Sequence, residues 1–244
     1  MIALLDIGNS RVKWGWLEGA ALHTGRPCAT SGDIEQHLSM EWTTPPRRVL
    51  VSNVAGPTLQ QRLDAWLQTR YGVCAEFVRA LPQAYGVTNG YREPRRLGCD
   101  RWLALLALRH GWQGAVCVLD VGTAATFDLL DGNGLHRGGA IVPGLNLMAR
   151  ALVDNTVAIT STVLSEADWL GHATDQAIHC GALNALAGMA ERLRRQACRE
   201  LNQPVSAILT GGDALLLASC LPEDWQMAPD LVLQGLAVVA REAA

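Results

Sequence analysis

Apolar and polar positions along the chain fall into short blocks, and two of these blocks are alike. The first, Ile2 to Asp6, is an apolar run that ends on Asp6-Ile7-Gly8-Asn9-Ser10. The second, Ala115-Val116-Cys117-Val118-Leu119, is valine-rich and ends on Asp120-Val121-Gly122-Thr123. Short apolar runs closed by a glycine-containing acidic turn predict buried strands. Each is followed by a second strand-like run, Val12 to Leu17 and Thr126 to Leu130, and then by a turn, Glu18-Gly19 and Asp131-Gly132-Asn133-Gly134. The interval from Asp6 to Asp120 is close to half the chain. The pattern therefore predicts two similar α/β halves, 1–113 and 114–244, each opening with a hairpin whose tip faces a shared cleft.

Between the two hairpins the periodicity changes. Strands are expected over Ala21–Gly25, Arg48–Ser52 and Ala75–Val78. Helices are expected from the Ser31-Gly32-Asp33 cap to about Met40, over Thr58–Arg70 with Leu59, Leu63, Trp66 and Leu67 at helical spacing, and over Asp100–His110. Leu81 to Arg96 carries proline, glycine and asparagine and reads as a long loop, a kind of segment that is often functional. In the second half, Gly138 to Val142 continues the hairpin and Leu145–Val153 forms a helix. Asp154–Ser165 reads as a polar loop, Ala173–Glu200 as one long helix, Ala207–Leu209 as a strand running into Thr210-Gly211-Gly212-Asp213, and Asp230–Ala240 as a closing helix.

Composition narrows the function. Hydrophobic residues make up 49% and charged residues 18% of 244 residues, which is globular. A net charge of -3 leaves no electrostatic footprint for nucleic acid, and neither a polybasic cluster nor an apolar span points to a membrane. Seven cysteines lie scattered, with no C-x-x-C pair and no zinc spacing, as expected of reduced thiols in a cytoplasmic protein. His172 and His179 have the spacing to share a helix face, where surface or capping roles are expected. Lys13 is the one lysine in the chain.

The chemistry-bearing residues suit a nucleoside triphosphate. A glycine turn offers backbone N–H groups to phosphate oxygens, and a carboxylate at a strand end can hold Mg²⁺ directly or through water. G-x-x-x-x-G-K-[ST] and G-x-G-x-x-G after a strand are both absent, so the site is of another type. Lys13, after the first turn, can either reach back to phosphates or face solvent. In Gly98-Cys99-Asp100-Arg101, an acid at a helix start agrees with the helix dipole, whereas Arg101 does not; an anionic ligand would account for it. Thr210-Gly211-Gly212 lets a flat group such as a purine lie on the backbone, or is a plain strand-to-helix turn.

These motifs resemble the type III pantothenate kinases. The resemblance rests on D-I-G-N-S-R-V-K at 6–13, Tyr91, G-C-D-R at 98–101 and D-V-G-T at 120–123. G-G-A-I-V-P-G at 138–144, T-D-Q-A-I-H-C-G at 174–181 and T-G-G-D at 210–213 extend it over nearly the whole chain. Ser10 stands where the family often has threonine. The resemblance implies two ribonuclease H-like domains of the sugar kinase, Hsp70 and actin ATPase type, each a mixed sheet flanked by helices. It implies ATP phosphates on Asp6, Ile7, Gly8, Asn9, Ser10, Arg11, Val12 and Lys13, with Asp6 organising Mg²⁺ and Thr123 also touching ATP. Asp120 would hold a monovalent cation, K⁺ or NH₄⁺. Tyr91, Gly98, Cys99, Asp100 and Arg101 would bind pantothenate, with Arg101 on its carboxylate and Asp100 as general base. Thr174 would reach pantothenate from the other subunit of a homodimer. Two other classes stay open at this point: another phosphotransferase of the same fold group, and a non-enzymatic regulator.

Overall fold

The computed structural model describes residues 1–156 and 169–242. They form two compact units: Met1–Gln113 with Gly134–His136 and Asp230–Ala244, and Gly114–Asn133 with Arg137–Pro229.

The first unit opens with the expected hairpin, β1 (Ile2–Ile7) and β2 (Arg11–Glu18), followed by β3 (Ala21–Thr24) and a two-residue β4 (Cys28–Ala29) that pairs with β2. Helix α1 (Ile34–Glu41) is capped by Asp33, whose carboxylate accepts from the Gln36 N–H at 2.8 Å. Strand β5 (Arg48–Asn53), helix α2 (Pro57–Tyr71) and strand β6 (Ala75–Phe77) follow. The sheet order is β3-β2-β1-β5-β6, with β1 antiparallel to β2 and parallel to β5. Alternation along β1 and β2 sends Leu5, Ile7, Val12 and Trp14 into a core shared with Leu38, Trp42, Leu63 and Leu67. Trp14, Trp16, Trp42, Trp66 and Tyr71 meet there at ring centroid distances of 5.1–6.3 Å. Aromatic pairs in this range add stability beyond their buried area.

The stretch expected as a long loop carries a small hairpin, β7 (Gln83–Ala84) and β8 (Val87–Thr88), and a 3₁₀ turn at Pro94–Arg96. Helix α3 (Cys99–Gly111) then buries every residue from Arg101 to Leu108.

The second unit repeats the plan. Its sheet holds β9 (Ala115–Val121), β10 (Ala124–Leu130), β11 (His136–Pro143), β12 (Val205–Thr210) and β13 (Trp225–Met227), in the order β11-β10-β9-β12-β13. As in the first sheet, the central strand β9 is antiparallel to its hairpin partner and parallel to the later strand β12. Helices α4 (Leu145–Asn155), α5 (Thr174–Leu201) and the short α6 (Ala214–Ala218) flank it. The apolar side of α5, Ala182, Leu183, Leu186, Ala187 and Ala190, packs on a core with Cys117, Leu119, Phe127 and Leu209. Of the polar stretch Asp154–Ser165, residues 154 and 155 extend α4, and residues 157–165 lie outside the described ones.

Two expectations differ from these findings. The closing helix, expected in the second half, is α7 (Leu231–Glu242), and it packs against α3, β1, β2 and β5 of the first unit. Its apolar residues Leu231, Val232, Leu233, Leu236 and Val238 are buried there, covering a helix that is itself almost wholly apolar. His172 precedes α5 instead of sharing a face with His179, which is buried within it.

Candidate active site

In the first unit the acidic turn is fixed from both sides. The Gly8 N–H donates to the Arg11 carbonyl at 3.0 Å, closing a turn between Ile7 and Val12. Thr30 clamps it, its hydroxyl donating to the Gly8 carbonyl at 2.8 Å and its N–H to the Ser10 carbonyl at 3.1 Å. Asn9, Ser10 and Arg11 are exposed. Asp6 and Lys13 are register partners across β1 and β2, so their side chains leave the same face of the sheet. The Lys13 ammonium also stands 3.1 Å from an Asp230 carboxylate oxygen.

Asp6 pairs in parallel register with Ser52 on β5, and this brings the G-C-D-R motif to the same strand ends. The Cys99 thiol lies 3.6 Å from the Ser52 hydroxyl and donates to the Asn53 carbonyl at 3.5 Å. Burial pushes the Cys99 thiol up; Asp100 and Asp6, both near enough to act on it, push in the same direction. Asp100 occupies the first turn of α3, and its carboxylate accepts from the Arg101 N–H at 2.8 Å. A Cβ on Gly98 would come within 2.5 Å of that carboxylate, so glycine here makes room for the acid.

Arg101 is 6% exposed, and its guanidinium donates to the Tyr91 hydroxyl at 2.7 Å. This pairing, with the guanidinium carbon 5.4 Å from the Tyr91 ring centre, replaces water around a charge that the helix terminus alone disfavours. Tyr91 is stacked on the buried imidazole of His136 at 5.7 Å and 18°. Its N–H donates to Asn89, whose side-chain amide in turn donates to the Leu81 and Pro94 carbonyls. Asn89, His136, Thr30 and Ser52 all shape this region without having been singled out in the sequence. Asn89 alone left a signal, as an amide in a turn-rich loop.

The remaining predicted residues belong to the second unit. Asp120 lies between Thr126 and Thr210 in register on the two neighbouring strands, so three oxygen-bearing side chains share one sheet face. Gly211, at φ +104, crosses so close that a Cβ would lie 2.3 Å from the Val121 carbonyl oxygen and 2.5 Å from the Asp120 carboxylate. The Gly211 turn therefore packs on the strand bearing Asp120, and the Asp213 N–H continues that contact by donating to the Val121 carbonyl at 2.9 Å. Thr123 is exposed at the hairpin tip, where its carbonyl accepts from Gly144 at 3.0 Å. Thr174 is exposed at the first position of α5. Among the described residues no group of three or more His, Cys, Asp or Glu side chains could cage a metal, and no helix is long and apolar enough to cross a membrane.

Paired sheets of this plan define the class: an α/β fold of the sugar kinase and actin-like ATPase type. Two solved structures share it, a protein from Campylobacter jejuni described as a Baf family transcriptional activator and a 2-dehydro-3-deoxygalactonokinase protein from Sinorhizobium meliloti. The first superposes with a TM-score of 0.60 at 21% identity over 99% of this chain and 98% of the other. The second gives 0.58 at 13% identity over 100% and 99%. At these identities the likeness is one of fold. Residues 2–196 match the family model of the type III pantothenate kinases. The type III pantothenate kinase of Nitrosococcus oceani is 39% identical over 99% of this chain and 94% of the relative, and that of Laribacter hongkongensis is 39% identical over 99% of both. The chain belongs to the type III pantothenate kinase family.

Proposed function

We propose that this protein transfers the γ-phosphoryl group of ATP to the primary hydroxyl of pantothenate, giving 4′-phosphopantothenate, the first step of coenzyme A biosynthesis. Within the family assignment, one arrangement carries the reading: a buried Arg101 held on Tyr91, next in sequence to Asp100 with its carboxylate turned over Gly98. Arg101 and Tyr91 bind the carboxylate end of pantothenate, and Gly98 and Cys99 line its other side. Asp100 takes the proton of the attacking hydroxyl, a role that needs a carboxylate held within hydrogen-bond reach.

The turn from Asp6 to Lys13 receives the phosphates, through its backbone N–H groups, the Ser10 hydroxyl and the Lys13 ammonium. Thr123 also contacts ATP. Asp6 is a single hard oxygen donor, which fits Mg²⁺, an ion that keeps several waters and takes its other ligands from phosphates. Bound there, Mg²⁺ would neutralise phosphate charge. Asp120 with Thr126 and Thr210 is an all-oxygen donor set, which fits a monovalent cation, K⁺ or NH₄⁺. Thr174, exposed at the start of α5, completes the pantothenate site of the neighbouring subunit in a homodimer. Exposed Trp169, Leu170, Leu147 and Leu152 give the second unit apolar surface for that assembly.

A coupled assay of ADP release tests the reading. With ATP, Mg²⁺ and K⁺, ADP forms when pantothenate is added and not with a panel of sugars or other hydroxy acids. Turnover of a sugar at a comparable kcat/KM, or none with pantothenate, would overturn it.

A further inference from the structure

Asp230 combines two unusual properties. It is one of three non-glycine residues at positive φ among the described residues, with φ of 58°, a left-handed conformation that a glycine would adopt at lower cost. Its carboxylate also forms an ion pair with the one lysine in the chain, at 3.1 Å. A residue that only starts a helix does not need this backbone, since helix-starting residues ordinarily take extended φ and ψ. The left-handed turn aims the carboxylate at β2.

We propose that Asp230 is a positioning residue for nucleotide binding: it holds the Lys13 ammonium in place on the sheet face that also carries Asp6. The inference rests on the reading above that Lys13 meets the phosphates. Lysine has a long stem with four rotatable bonds and a compact charge, so a productive geometry must be imposed on it. Asp230 imposes it from a rigid base, because its carbonyl accepts from Gln234 at 3.0 Å in the first turn of α7, and α7 is packed on β1, β2 and α3. The two side chains are 28% and 29% exposed, so the pair is neither sealed from a ligand nor fully loosened by solvent. An ammonium has three N–H donors, so a lysine held by one carboxylate keeps donors for phosphate oxygens. Ordering one such side chain in advance is worth roughly twofold to tenfold in affinity.

The test is binding of a non-hydrolysable ATP analogue with Mg²⁺, measured by calorimetry on Asp230→Asn, Lys13→Met and the double variant. Asparagine keeps the size of the side chain and tolerates the left-handed backbone. Asp230→Asn is expected to raise the Kd about threefold to tenfold, leaving KM for pantothenate within twofold and the melting temperature near wild type. Lys13→Met is expected to raise the Kd further, and adding Asp230→Asn to it should change nothing more, because the carboxylate then has no ammonium to hold. An unchanged Kd with a lowered melting temperature would make Asp230 a helix-terminal charge and overturn the proposal. Tighter binding in Asp230→Asn would also overturn it, since the carboxylate would then compete with phosphate for Lys13. If Lys13→Met itself leaves the Kd unchanged, the role of Lys13 in phosphate binding falls and takes this inference with it. A raised Kd in Lys13→Met alone removes only the part played by Asp230.

Discussion

The Cys99 thiol stands 3.6 Å from the Ser52 hydroxyl, tying the start of α3 to the end of β5 one strand away from Asp6. Burial there raises the thiol's pKa, with Asp100 and Asp6 adding to the effect, so the thiolate is scarce at neutral pH. Cys117 is pushed up to about 12 by its deeper burial. Iodoacetamide at pH 7.5 should therefore label the exposed Cys74 and Cys220 first, Cys99 slowly, and Cys117 only after unfolding. Mass spectrometry of timed digests checks the order; early labelling of Cys99 would contradict its burial.

Asp100→Asn retains size and much of the hydrogen bonding but cannot accept a proton. A kcat loss of about 10²–10⁴ is expected, with nucleotide binding unchanged. Were Asp100 only a favourable charge at the start of α3, the change would cost roughly 0.3–1 kcal/mol of stability and leave kcat within a few-fold. Rates and melting temperature measured on one preparation separate the two.

Activity in sodium-only buffer is expected to be low and to recover when potassium or ammonium is added. Asp120→Asn should remove that response while the protein stays folded. Equal rates in sodium, potassium and ammonium would dismiss Asp120 as a cation ligand.

Thr174→Ala should raise KM for pantothenate and spare ATP. Sedimentation should show a dimer at micromolar concentration. A fully active monomer would rule out a site shared between subunits.

Glu76 accepts from Arg48 twice, at 2.8 Å each, and this pairing holds its carboxyl below the usual carboxylate range. A lowered pKa means that the contribution is present above the unfolded value and is lost as pH falls through the folded one. The pair is partly exposed, with side chains 29% and 47% accessible, and solvent screens it, so Glu76→Gln should cost only about 0.2–1 kcal/mol at pH 7. Chemical denaturation at a series of pH values should show the two proteins converging as pH falls below 4.5, the ordinary value of a glutamate carboxyl.

The hairpins, the repeated sheet plan and the order of the motifs were legible because each is a local pattern. Short apolar runs closed by acidic glycine turns mark Ile2–Ile7 and Ala115–Val121 as strands, whereas the register that sets Asp6 opposite Lys13 comes from the structure. What could not be read depends on contacts between distant segments. Nothing near Lys13 announces Asp230, and nothing near Tyr91 announces His136 behind it. Strand β13 and helix α6 were missed for another reason: at three and five residues they are too short to show a period. The Gly211 turn leaves two readings open in the sequence, room for a flat ligand and a plain strand-to-helix turn; the structure adds that a Cβ there would meet the backbone of Val121 and the Asp120 carboxylate.

The packing of α7 on α3 bears on how the protein is made. Synthesis is vectorial, and domains generally fold as units beginning with the N-terminal one. Here the first unit contains Asp230–Ala244, so its fold cannot be completed when residue 113 leaves the ribosome. At about 5–20 residues per second, α3 waits roughly ten seconds for its partner helix. During that interval the apolar stretch from Trp102 to Leu108 can pack on β5 and β8 but lacks the cover of α7, so nascent chains stalled before Leu231 are expected to bind a chaperone more than full-length ones do.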